Sequence, residues 1–216
     1  MNLFACKSPG PGRPKDLEKR AAILDAAKQM FPRLGFEGTS MDAIAASAGV
    51  SKLTVYSHFR DKETLFVEAI RQKCEEQLPP EFFEPSVRGP IRKTLLIIAR
   101  GFFGLIVSDE SIGLMRMLMA DACKGSSRLP NLFWEAGPKR SNETLEHLLA
   151  SATETGQLDV QDPHRAAGQF FCLIKGEHHM RRLIGCGEPI TAAETERHIE
   201  SVVDMFLRAY APRAVS

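Results

Sequence analysis

The sequence predicts an all-α chain of about nine helices, and three observations predict it. No stretch alternates apolar and polar residues as a half-buried strand must. Apolar residues instead recur at three- and four-residue steps from Asp16 to Tyr210. Capping side chains, glycines and prolines fall where each periodic run begins or stops, as helix ends require.

Taken in order, residues 7–15, "KSPGPGRPK", mix Pro, Gly and basic side chains and read as a mobile basic arm over residues 1–15. From Asp16, Ile23, Ala27, Met30 and Leu34 recur at helical steps until Gly35 ends the run. Pro32 deletes a backbone hydrogen bond, at a cost of about 3 kcal/mol, and predicts a kink or a last turn nearby. "TSMDAIAASAG" is a second, short helix capped by Thr39 or Ser40, with Asp42 placed as in a capping box, and Gly49 ends it. Ser51 caps a third helix, Lys52 to His58, and Asp61 caps a fourth that Pro79–Pro80 stops.

The rest of the chain continues the pattern. Ile91, Leu95, Ile98, Phe102 and Leu105 form one stripe, and Ile112, Met115, Met119 and Ala122 a shorter seam. A helical region from Pro130 to Thr155 has a break signal at Gly137–Pro138, and Gly156 closes it. Asp162–Pro163 opens a long helix by a cap followed by proline, running to about Ile184 with Ala166, Phe170, Leu173 and Glu177 on one side. After a "GCGEP" turn, Thr191 and Glu194 form a capping box for the last helix, whose stripe is Ile199, Val203, Phe206 and Tyr210. These runs divide into the arm, a head over residues 16–78 and a body over residues 86–211.

Charge separates head from body. The chain of 216 residues has a formal net charge of +1, but residues 1–62 carry ten Lys/Arg against six Asp/Glu. A basic head on an acidic body points to a polyanionic partner for the head. The five cysteines are dispersed without metal or redox spacing, which argues for a reducing compartment and against a disulfide framework. No run is long and apolar enough to span a membrane and none has the form of a signal peptide, so the expected location is cytoplasmic. HExxH, GxSxG, P-loop and GxGxxG motifs are absent, so neither catalytic residues nor a metal or other cofactor is expected. His178 and His179 are adjacent, and neighbours on a helix do not share a face, so a surface or interface role suits them better than metal ligation.

"ASAGVSKLTVYSHF", residues 46–59, has the chemistry of a helix-turn-helix, spanning about 40–59. Ala45, Ala48 and Val50 are small enough for close helix approach, and Val55 and Phe59, four apart, share the inward face. Lys52, Thr54, Tyr56, Ser57 and His58 are left to project outward or sideways. An α-helix fits the DNA major groove, and its first residues meet base edges. Lys52 can donate to guanine, and Thr54 can bond a base or pack a thymine methyl. Tyr56 and His58 suit phosphate oxygens. Lys62 adds charge beside the next helix's N-terminus. Arg13 can reach a minor groove or a phosphate, or be a plain solvated residue.

The ordered set Ile23, Leu24, Ala27, Phe31, Gly35, Phe36, Thr39, Ile44, Ala45, Ala48, Gly49, Val50, Ser51, Tyr56, Phe59, Lys62 and Leu65 resembles the DNA-binding head of the TetR family of transcriptional regulators. The resemblance implies DNA contacts, mostly to its backbone, by Thr39, Lys52, Thr54, Tyr56, His58 and Lys62. With the caps and the outward residues, the candidate DNA-binding set is Thr39, Ser40, Ser51, Lys52, Leu53, Thr54, Tyr56, Ser57, His58 and Lys62. Leu53 stands where that family commonly has glycine, which adds a thymine-methyl contact or only local packing.

Residues 87–211 resemble the AefR-like group of that family through "GFFGLIVSDESIGLMRMLMAD", "AGPKR" and "AAGQFFCLIKG". The resemblance implies an effector cavity in the body and a homodimer through the last two long helices. Phe102, Phe103, Met115, Met119, Phe133, Trp134 and Phe171 are the candidate ligand-binding residues, for an apolar or amphipathic small molecule; spacing alone equally fits ordinary core. The expected function is a dimeric repressor that binds an inverted-repeat operator in double-stranded DNA and is released by an effector. The alternatives are an activator of the same fold, or a helical small-molecule-binding or enzymatic protein with a structural head.

Overall fold

A computed structural model describes residues 13–82, 89–186 and 190–212, with only the backbone of residues 13–15 and 81. The basic arm up to residue 12, the side chain of Arg13 and the end of the "GCGEP" turn lie outside the described residues. The described residues form ten α-helices and no strand: α1 (Arg13–Gly38), α2 (Met41–Ser47), α3 (Lys52–His58), α4 (Lys62–Gln77), α5 (Ile91–Val107), α6 (Asp109–Cys123), α7 (Arg128–Ala136), α8 (Pro138–Glu154), α9 (Pro163–Ile184) and α10 (Ala192–Ala209). The helical region 130–155 is two helices, parted at the Gly137–Pro138 signal.

α1 begins at Arg13, inside the segment expected to be arm. Pro14 does not prevent this, because a first-turn N–H has no helical partner to lose. The helix passes through Pro32 and is interrupted at Gly35, whose φ of 77° and ψ of 166° are non-helical. Ser40 caps α2 by accepting from the Ala43 amide, Ser51 caps α3 through Thr54 and Asp61 caps α4 through Thr64. Asp162 caps α9, and Thr191 with Glu194 forms the reciprocal box at α10.

Packing makes two apolar cores. The head core joins Ile23, Phe31, Ile44, Val55, Phe59 and Phe66, and Leu118 of α6 with Leu129 and Ala136 of α7 complete it. Phe31, Phe36 and Phe66 meet there with ring centroids 5.2–5.6 Å apart. The body core is built by α5, α8, α9 and α10 around residues such as Phe103, Leu145, Phe170 and Phe206. Cys74 packs against both, and burial pushes its thiol up to about 11.

α6 corrects the expected seam. Of Ile112, Met115, Met119 and Ala122 only Ile112 is buried, and Met119 is 51% exposed. Leu118 is buried instead, and Leu114 and Met117 pack on the head core. α6 touches α1, α5, α7 and α9, so its covered residues wrap around it rather than form one stripe. At Gly113 a Cβ would lie 3.2 Å from Pro32 Cβ, so α6 and α1 meet there almost backbone to side chain. On either side of Gly113, α6 is tied to α9 reciprocally. Arg116 donates to the carbonyls of Arg182 and Leu183, both at 2.8 Å, and Arg182 donates to Asp109 at 2.6 Å and to the Val107 carbonyl at 3.1 Å. A cation at a helix C-terminus also favours the helix dipole. α9 itself bends at Gly176, where φ is 50° and the His198 ring would stand 2.9 Å from an added Cβ.

Candidate nucleic-acid interface

The helix-turn-helix is α2, the turn at Gly49 and α3. Gly49 has φ of 67°, a left-handed value that a Cβ would strain, and it lets the Val50 amide bond the Ala45 carbonyl at 3.0 Å. Val55 and Phe59 are 0% and 1% exposed, so α3 is fixed by its inner face. The Arg20 guanidinium lies 5.3 Å from the Phe59 ring centroid and covers it from α1.

That anchoring sets the phase of everything else on α3. Leu53 is 79% exposed and Tyr56 45% exposed, and Ser40, Ser51, Lys52 and Ser57 are exposed beside them. Lys52 Nζ stands 2.9 Å from Asp42 Oδ1 and 3.0 Å from Oδ2, and this hydrogen bond raises its pKa. Ser51 and Thr54 share a 2.8 Å hydroxyl contact, and Ser57 donates to the Thr54 carbonyl at 2.7 Å.

Three candidates are placed differently. Thr39 is fully buried and donates to the Gly35 carbonyl at 2.7 Å, so its hydroxyl locks the end of α1 and does not face outward. His58 turns toward α1: its side chain is 11% exposed and Nε2 lies 3.0 Å from Asp16 Oδ1, a close approach and not an aligned hydrogen bond. Lys62 donates to the Phe36 carbonyl at 2.7 Å and sits 4.2 Å from the Phe36 ring centroid. Each closes the head around α1. Arg60, which sequence reasoning passed over, is 92% exposed just beyond α3. Its only signal was charge next to the motif. The Asp42 partner of Lys52 had none, since residues ten apart meet only through the turn.

The seven ligand-binding candidates do not gather around one cavity. Phe102 and Phe171 touch, with centroids 4.4 Å apart, and Phe103 is buried against the His178 and His198 rings. Phe133 packs on the head core, Met115 is half-buried, and Met119 and Trp134 are about half exposed. Aromatic and Met residues at helical spacing fill core and cover surface as readily as they line a void. Among the described residues no group of His, Cys, Asp and Glu could hold a metal, and no helix is long and apolar enough to cross a membrane.

A basic head with a clamped, outward-facing second helix, carried on an all-α body, defines a helix-turn-helix transcriptional regulator. Comparison with known proteins gives the family. Residues 23–69 match the model of bacterial regulatory proteins of the tetR family, and residues 93–212, more than half of the chain, match the AefR-like transcriptional repressor C-terminal domain. The chain belongs to the TetR family of DNA-binding transcriptional regulators. It is 38% identical over 80 residues to the regulator RutR of Escherichia coli K12, an alignment covering 37% of this chain and 38% of RutR. Its match to the curated relative YhgD of Bacillus subtilis likewise spans 38% of that protein's length. Whole-chain likeness comes from solved structures. A TetR-family regulator from Mesorhizobium loti MAFF303099 superposes with a TM-score of 0.75 at 28% identity, over 92% of this chain and all of that one. The flavonoid-responsive regulator FrrA superposes with a TM-score of 0.69 at 33% identity, over 91% of this chain and 98% of that one.

Proposed function

We propose that the chain acts in the cytoplasm as a homodimeric repressor whose two heads bind the half-sites of an inverted-repeat operator. The observation that carries this is the outer face of α3, with Lys52, Leu53, Tyr56 and Ser57 exposed while Val55 and Phe59 hold the helix from behind. Lys52, Leu53 and Thr54, in the first turn, reach base edges. Ser40, Ser51, Tyr56, Ser57 and Arg60 meet phosphates. Thr39, His58 and Lys62 act by fixing the head around them, and Lys62 reaches the backbone only after leaving the Phe36 carbonyl.

The dimer forms through α9 and α10. Met180 and Ile184 on α9 and Met205 on α10 are 56%, 67% and 42% exposed, and Gly168 has open space where a partner helix can approach. Two heads on one duplex must match its helical repeat, so an effector that binds one head spacing better shifts the population toward it. Control of the similar regulator FrrA by flavonoids supports release by a small molecule.

A gel-shift titration of the full chain tests the reading, with DNA selected from a random pool and the same DNA scrambled, at several salt concentrations. Selected DNA should bind at least a hundredfold more tightly, as two half-sites, to a species of twice the chain's 23.9 kDa. Equal binding of both DNAs, or a monomer on the duplex, refutes it.

A further inference from the structure

Asp42 is the one acidic residue between Ser40 and Phe59, and it is exposed on the outer surface of the helix-turn-helix. Its place in the first turn of α2 suits the helix dipole, which accounts for an acid there but not for its partner. That partner is Lys52, the first residue of α3, whose Nζ is held almost evenly by the two carboxylate oxygens, at 2.9 and 3.0 Å. The two side chains are 61% and 62% exposed. In water such a pair contributes little stability. The buried Ile44 and Val55, not this pair, hold α2 and α3 in the head core.

The other polar side chains of the first turn of α3 are already engaged. Ser51 Oγ accepts from the Thr54 amide at 3.1 Å and meets the Thr54 hydroxyl at 2.8 Å. Leu53 and the Thr54 methyl offer apolar contact. Polar reading of a base edge by this turn therefore falls to Lys52, with Asp42 beside it. A lone lysine binds a phosphate as readily as a base. Joined to a carboxylate it does not, because a phosphate at Lys52 would also meet Asp42 and be repelled. The couple instead matches an edge that offers acceptors and then a donor. In the major groove a G·C pair presents guanine N7 and O6, then the cytosine N4 amino group. An A·T pair presents acceptor, donor, acceptor, so a carboxylate over the adenine amino group also faces thymine O4.

We propose that Asp42 and Lys52 act as one reading unit for a G·C pair in each half-site, the ammonium donating to guanine and the carboxylate accepting from N4 of the paired cytosine. This rests on the DNA-binding reading above, and adds the base pair that is read and the residue that makes Lys52 a reader. Contact with the duplex expels water from around the pair, so the contact that is weak in the free chain holds Lys52 firmly on the DNA.

Selection of bound half-sites from random DNA tests this, by the full chain, by Asp42→Ala, by Lys52→Ala and by the double substitution, with a melt to confirm that each is folded. The unaltered chain should enrich one G·C position that each single substitution weakens at least about fivefold, while every other position keeps its preference. The double substitution should cost that position no more than the larger single one, since the two residues act together. A general loss of structure would instead weaken all positions alike, and that result overturns the unit. So does a G·C preference that Lys52→Ala removes and Asp42→Ala leaves, a pair of losses that simply add, or an A·T preference at that position; each of these leaves site-specific binding intact. A chain that enriches no sequence overturns the DNA-binding reading itself, and the unit with it.

Discussion

The head and the body carry their chemistry in opposite ways. The head displays it on the outside of a seven-residue helix, whose phase two buried residues, Val55 and Phe59, determine completely. The body would carry it as empty space between helices, and no residue type announces a void. The head can therefore be read one side chain at a time, whereas the body can be read only after packing is known. The two are also less separate than the order of the chain suggests, because Leu118, Leu129 and Ala136 of the body complete the head core.

The largest expected effect tests that sharing. Phe59→Ala in the head and Phe206→Ala in the body each empty a fully buried site and should cost about 3–5 kcal/mol. Calorimetry should show each lowering one common transition. Two transitions, with only one moved by each substitution, would make the cores independent. On the interface itself, Lys52→Ala should reduce the preference for selected over scrambled DNA by roughly tenfold to a hundredfold, the worth of a base-edge contact of about 1–3 kcal/mol. Competition gel shifts read this ratio, and an unchanged ratio would move Lys52 from reading to mere attraction.

Lys62→Ala should weaken binding to every sequence alike and lower the salt slope by about 0.9, one phosphate's worth. A melt must accompany it, since Lys62 also holds the Phe36 carbonyl. A changed sequence preference would contradict a backbone role. Asp42→Asn should act more subtly and in two directions. Removing a carboxylate from the DNA face should tighten binding to all DNA severalfold, while releasing Lys52 from its 2.9 Å partner should blur its base preference. Tighter binding with undiminished preference would show that Asp42 only repels. Smallest of all, Trp134→Ala, at a half-exposed position away from both cores' centres, should change stability by less than about 0.5 kcal/mol.

What was legible in the sequence follows the same division. Caps at Ser51, Asp61, Asp162 and Thr191 are local chemistry between residues three apart, and each is present where the residues place it. The stripe of α10 is legible because one face meets one core: Ile199, Val203 and Phe206 are all buried. α6 was misread because it is covered on several sides, which no single stripe can encode. Thr39 is a DNA-contact candidate only through the family resemblance and its place as a cap, Lys62 through its charge beside a helix N-terminus, and His58 through a type that suits phosphates. Their actual partners, the Gly35 carbonyl, Asp16 and the Phe36 carbonyl, lie on α1 and are fixed only by tertiary packing. The Phe102–Phe171 contact is an aromatic pair whose two members are far apart in the chain, and periodicity is blind to that.

The fit of Gly113 against Pro32 sets a rule for anyone building chimeras from such regulators. α6 is oriented by its arginine exchange with α9, and the head rests on α6 through a contact so close that a methyl group added at Gly113 would push Pro32 back by a few tenths of an ångström. A transplanted head whose first helix carries a bulkier side chain at the position of Pro32 would seat at a different angle, and in the proposed dimer its partner would do the same. Such a hybrid could fold, and its two reading helices would still miss their spacing on the double helix.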